Sequence, residues 1–189
     1  MKKLALRITV LTLMIAGLLH SCKEEVLPKP KAQLRLEYLA PKYETIKSDC
    51  PYIFDKSSDA DLKINDKCWS NIEYPKLKAS INMTYRPVDN NLKELLLEAE
   101  KLTFNHTIKA DGISSAPYVN AEKGVYGSIF EVTGNAASPI QFHVTDSSKH
   151  FITGADYFNV QPNYDSIKPA IGYLQQDIIR MIESLEWKN

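Results

Sequence analysis

From Leu77 to Tyr85 the chain alternates without a break: Leu77, Ala79, Ile81, Met83 and Tyr85 are apolar, while Lys78, Ser80, Asn82 and Thr84 are polar. A period of two puts the first set on one face of an extended strand and leaves the second wet, so a core must lie on one side of it. Two amphipathic stripes offer cover. Leu92, Leu95, Leu96, Ala99, Leu102 and His106 share one helix face, opened by Asn91 and Glu94 at the spacing of a capping box. Ile171, Leu174, Ile178, Ile182 and Leu185 make a second stripe, on a helix that starts between Asp165 and Pro169. Pro169 is tolerated in a first turn, where its missing N–H has no helical partner to lose.

Leu34, Leu36 and Tyr38 alternate with Gln33, Arg35 and Glu37 and predict a first strand. The segment from Asp55 to Lys67 is rich in Asp, Ser and Lys and reads as an exposed excursion. Trp69 to Tyr74 is short and β-prone, and Arg86-Pro87 stops the strand that begins at Leu77. Gly112 closes the first helical region, and a loop runs through Pro117 and Asn120. Val125 to Val132, Ile140 to Thr145 and His150 to Phe158 predict an antiparallel meander, with turns at Gly134-Asn135 and Asp146 to Lys149. The order of elements is that of an α+β fold, a mainly antiparallel sheet packed by two main helices. In element order alone it resembles the Mog1/PsbP-like sandwich.

The N-terminus predicts the compartment. Lys2, Lys3 and Arg7 precede an apolar stretch from Ile8 to Leu19, which is shorter than the ~20 residues of a spanning helix and ends on small Ser21 before Cys22. Leu19-His20-Ser21-Cys22 resembles a lipobox, which implies a signal peptide over 1–21 and an acylated Cys22 as the mature N-terminus. Lys23-Glu24-Glu25 and Leu27-Pro28-Lys29-Pro30 then form a charged, proline-stiffened tether over 22–32, ahead of a single domain over 33–189. Lys23 is not the aspartate that retains some lipoproteins at the inner membrane, and Lys23-Glu24-Glu25 resembles a lysine-acidic-acidic surface-export signal. The outer membrane is therefore the expected site of the anchor.

Loss of Lys2, Lys3 and Arg7 leaves 20 basic against 23 acidic residues, a net charge of −3 that points to neither nucleic acid nor an anionic surface as partner. With Cys22 acylated, Cys50 and Cys68 remain as a pair in an oxidising compartment, and a disulfide is the natural reading. A metal site is the sharper alternative, but neither cysteine has a CxxC partner or a nearby histidine; a reduced buried pair is the third.

His106 lies on an apolar helix face, and His143 alternates with Phe142 and Val144, which points it away from the core. A strand-turn-strand geometry can bring His143 and His150 together around Asp146, Ser147 and Ser148 for a metal or a hydrolase, although the spacing fits no standard metal motif. No G-x-S-x-G is present, Glu98 and Glu100 sit on a solvated helix face, and Gly134-Asn135-Ala136-Ala137-Ser138 lacks the pattern of a phosphate loop. No catalytic, cofactor or metal site is expected. The aromatics Tyr126, Phe130, Phe142, Phe151, Tyr157 and Phe158 admit a second class of function, the binding of a lipid or glycan between sheet and helices. Asp165-Ser166-Ile167 resembles an O-glycosylation site at Ser166, and helix capping by Asp165 or Ser166 explains the same residues.

Longer strings carry a specific resemblance. Leu34-Arg35-Leu36-Glu37-Tyr38, Asp49-Cys50-Pro51, Cys68-Trp69, Ile72-Glu73-Tyr74-Pro75-Lys76-Leu77-Lys78, Thr84-Tyr85-Arg86-Pro87 and His106-Thr107-Ile108-Lys109-Ala110-Asp111-Gly112 are similar to the gliding motility lipoprotein family GldD. So are Gly134-Asn135-Ala136-Ala137-Ser138 and Thr145-Asp146-Ser147. The resemblance implies an envelope lipoprotein required for surface gliding, with protein components of the gliding and type IX secretion apparatus as partners. It brings no catalytic residue and assigns a chemical task to Cys22 alone.

Overall fold

From Ala79 onward the alternating run forms an inner strand of a seven-stranded antiparallel sheet, whereas Leu77 ends a short 3-10 turn over Pro75–Leu77 and Lys78 is left-handed. In a computed structural model, which describes residues 36–105, 110–159 and 163–188, it becomes β5. The strands are β1 (Tyr43–Ile46), β2 (Tyr52–Ser57), β3 (Asp61–Ile64), β4 (Ser70–Tyr74), β5 (Ala79–Pro87), β6 (Ala110–Asn120), β7 (Val125–Gly134), β8 (Ile140–Thr145), β9 (His150–Phe158) and β10 (Glu186–Trp187). The helices are α1 (Leu92–Phe104) and α2 (Tyr164–Ser184). The large sheet runs β3-β4-β5-β9-β8-β7-β6, and a small one runs β1-β2-β10. Every strand pair is antiparallel, so the α+β expectation holds.

The register decides which residues share a face. Ile81 opposes Ile72 and Asp156, while Asn82 opposes Asn71 and Ala155. The apolar face packs on the predicted stripe of α2: Ile171, Leu174, Ile178 and Ile182 are buried with Ile72, Ile81, Met83, Phe142, Val144 and Ile152. Tyr52 and Phe54 of β2 join the same core, so α2 serves both sheets. The opposite face is covered by α1, whose Leu95 and Ala99 bury against Phe151. Phe151 and Ile152, adjacent on β9, thus point to different helices.

This two-sided cover corrects several expectations. All six residues of β8 are buried, so His143, though it points away from the main core, lies in a second buried layer under α1. The stripe of α1 is less complete than its periodicity predicts, since Leu102 is exposed and Thr103 is buried in its place; His106 lies outside the described residues. Asn91 is the N-cap residue, but its Oδ1 accepts from the N–H of Asp89 at 2.9 Å and no side-chain cap is made. The loop expected through Pro117 is β6, an edge strand. Proline is compatible there because an edge leaves half of its N–H groups unpaired.

The predicted first strand fails at its described end. Leu36 and Tyr38 precede β1 in non-strand conformation and pack partly buried against the core, while residues 33–35 lie outside the described residues. The excursion expected from Asp55 to Lys67 contains the end of β2 and all of β3. Composition misleads here because partners from elsewhere satisfy the charges. Asp55 accepts from Thr45 Oγ1 at 2.7 Å and Arg180 at 2.6 Å, which hold its carboxyl below the usual range although burial pushes the other way. Lys56 pairs with Glu44 at 2.6 Å and donates to the Ala60 carbonyl. Pro169 is the sixth helical residue of α2, past the first turn.

Candidate functional site

Cys50 and Cys68 are joined in a disulfide with Cα atoms 5.5 Å apart, closing a loop that carries β2 of the small sheet and β3 of the large one. Tyr52, within that loop, donates its hydroxyl to the Cys68 carbonyl at 2.7 Å, which fixes the closure from inside the core. Cys22 and the tether lie outside the described residues. Asn163 is the N-cap residue of α2, so neither Asp165 nor Ser166 caps it; Ser166 Oγ donates to the Asn163 carbonyl at 2.9 Å in the first turn. The Gly134–Ser138 connection also serves α2, through Asn135 Oδ1, which accepts the Tyr164 N–H at 3.1 Å.

The His143, Asp146 and His150 constellation does not assemble. His143 opposes Thr153 and faces α1, where it stacks on Phe151 with centroids 5.9 Å apart. His150 faces the other way, bonded to Tyr85 at 3.0 Å and stacked on Trp187 at 5.2 Å. The sheet itself separates the two rings. Asp146 is engaged in its own turn: Oδ1 accepts the N–H groups of Ser148, Lys149 and His150, and Oδ2 the Ser148 hydroxyl. Burial alone would raise its pKa, but these bonds overcome that and hold it down to about 2. Glu98 is exposed and paired with Arg86.

A cavity lies instead between α1 and the outer sheet face. It measures about 190 Å3 and is half open to solvent. Ala99, Leu102 and Thr103 form its helical wall, and Gln141, His143, Thr153, Phe130 and Tyr157 rise from the sheet. Thr103 Oγ1 holds one proton and stands 3.2 Å from the Ala99 carbonyl and 3.1 Å from Gln141 Oε1. Gln141 Nε2 and His143 Nδ1 are buried without any protein partner. Burial pushes the His143 pKa down, with a smaller opposing pull from Glu100, so the imidazole is neutral at pH 7. Asn82 and Thr84 line this cavity and also a shallower groove of about 370 Å3 over β3, β4 and β5. Trp69 borders that groove, 43 % exposed, with its indole N–H anchored to the Tyr85 carbonyl at 3.2 Å.

The sequence showed half of this surface. Asn82 and Thr84 were legible as the wet face of β5, and Gln141, His143 and Thr145 alternate with apolar neighbours on β8. That α1 would roof them, and that Thr103 would turn inward to meet Gln141, depends on a contact across 38 residues that no local pattern encodes.

Two buried carboxyls stand on the inner face. Asp177 of α2 accepts the hydroxyls of Tyr43 and Tyr74, each at 2.9 Å, tying the helix to both sheets. Desolvation raises its pKa against those two bonds. Asp156, fully buried, accepts the Ile140 N–H at 2.7 Å through Oδ1, while Oδ2 has no partner. Desolvation pushes it up to about 7. No group of three or more His, Cys, Asp and Glu that would hold a metal occurs among the described residues, and no described helix is long and apolar enough to cross a membrane.

A disulfide-closed loop that joins two sheets, and a large sheet covered by a helix on each face, describe an α+β domain built around packing and surfaces. Residues 23–187 match the family described as gliding motility lipoprotein GldD, and the chain belongs to that family. No curated protein matches it.

Proposed function

We propose that this gliding motility lipoprotein is a non-enzymatic accessory of the gliding and type IX secretion machinery, held to the outer membrane through acylated Cys22 and presenting its α+β domain to protein components of that machinery. The family match carries the reading. It begins at Lys23, the residue after the expected lipidation site, and runs through the whole described domain. A non-catalytic role is supported by the parting of His143 from His150 across the sheet and by the capture of Asp146 in its own turn.

Crosslinking in intact cells tests the reading, with the wild-type protein beside Cys22→Ala. Recovery of motor or secretion-channel components by the anchored form alone is expected, with the protein in the outer-membrane fraction. A deletion strain that glides and secretes normally would overturn the proposal.

A further inference from the structure

Among the described residues, β6 is the sheet edge left open to another strand. Four strands end a sheet. Of these, β1 and β3 are 4 residues long and β10 is 2, and each carries a charge, which is how natural edges are kept from pairing. β6 runs for 11 residues and has no charged side chain from Gly112 to Asn120. Most of it is exposed, and Val119, at 70 %, is the most exposed large apolar residue described.

A proline on an edge commonly blunts it, but Pro117 also selects a register. Lacking an N–H, it stands where the backbone faces away from β7, and Ile113, Ser115 and Val119 share that orientation, because the ladder to β7 is unbroken from Gly112 to Asn120. Their N–H and C=O groups form an open row in which the proline donor alone is missing. A second copy of β6, laid antiparallel about a two-fold axis at Ala116, sets Ile113 against Val119 and Ser115 against Pro117. Each Ile113–Val119 pair then makes two hydrogen bonds, and in each Ser115–Pro117 pair the Ser115 N–H donates to the Pro117 carbonyl, six bonds in all. Every other two-fold register over the same span makes four or fewer. The register at Ala116 also places apolar residues opposite one another, with no charge anywhere along the paired span. From the long uncharged edge, the outward row of backbone groups and its self-complementary register, we infer that two copies of this chain join through β6 into one continuous sheet, with an isologous two-fold at Ala116. One strand pair is a small interface, so the dimer is dissociable and the assay has to trap it.

The test is disulfide trapping in intact cells, with single cysteines placed along β6 of the full-length chain. At the two-fold, Ala116 meets its own counterpart as a non-hydrogen-bonded pair with Cα atoms ~4.5 Å apart, within reach of a disulfide. Under a mild oxidant, Ala116→Cys is expected to give a cross-linked dimer, roughly tenfold or more above Ser114→Cys, whose counterpart lies roughly 14 Å away along the paired strands. Wild type, which keeps Cys22, Cys50 and Cys68, is the blank. Adding Val119→Lys to Ala116→Cys should cut the trapped dimer about tenfold, because it breaks both Ile113–Val119 pairs and puts a charge on the edge. Ser115→Pro, which removes an N–H that β7 does not use, should lower it similarly and keeps the test valid if Val119→Lys unfolds on a thermal melt. No dimer from Ala116→Cys above the wild-type blank, equal trapping at positions 114 and 116, or trapping undiminished in the folded double variants would each overturn the inference.

Discussion

Asp156→Asn should flatten the pH dependence of stability in this domain. The carboxyl is fully buried, with one oxygen on the Ile140 N–H and the other unpartnered, and desolvation raises its pKa from an ordinary 3.8 to about 7. A carboxyl whose folded pKa is raised binds its proton more tightly in the folded state, so its contribution is complete below 3.8 and is lost as pH rises through about 7. Over the whole window that amounts to about 4 kcal/mol, and between about pH 5 and about pH 8 to roughly 2.5 kcal/mol. Asparagine keeps the Oδ1 acceptor and cannot ionise. Urea unfolding of wild type and variant at both pH values is the assay, because the difference between the two curves removes every other titrating group, including Asp146, which works in the opposite direction. The variant should gain roughly 2.5 kcal/mol on the wild type between the lower and the higher pH. Parallel profiles would show that Asp156 stays ionised in its site, through water or a rearranged β8–β9 edge, and the burial argument would fail.

Tyr74→Phe removes one of the two hydroxyls that Asp177 accepts and should cost about 1–3 kcal/mol in urea unfolding, with Tyr43→Phe, at a more exposed site, costing less. Reducing the Cys50–Cys68 bond, whose residues are 18 apart in sequence, should lower stability by about 3 kcal/mol, read by unfolding with and without a thiol reductant. Gly127→Ala should be more damaging than Gly154→Ala. At 127 an added Cβ meets the His143 carbonyl oxygen at 1.9 Å, which is β8 backbone, whereas at 154 it meets the Phe142 ring at 2.2 Å, which can rotate. The expected costs are more than ~3 and about 1–3 kcal/mol by thermal melt.

Local pattern was enough wherever one face of an element meets one environment. The alternation of β5 and the stripe of α2 were legible because each presents a single apolar side, and the meander of β7, β8 and β9 because its turns carry Gly134-Asn135 and Asp146. It failed where partners arrive from far along the chain. Asp55 and Lys56 read as solvated because nothing local announces Arg180 or Glu44, and His143 read as outward because nothing announces a second helix above it.

Sequence alone determined the lipoprotein family, the α+β class and the apolar face of the sheet, because each follows from residue type in local strings, and it offered Cys50 and Cys68 as a pair that the structure then joined. Tertiary structure decided the rest. It set the two helices on opposite faces and parted His143 from His150. It gave the outer face a cavity roofed by α1 and lined by Gln141 and His143, because register and helix placement are fixed by long-range packing and short patterns are degenerate with respect to both.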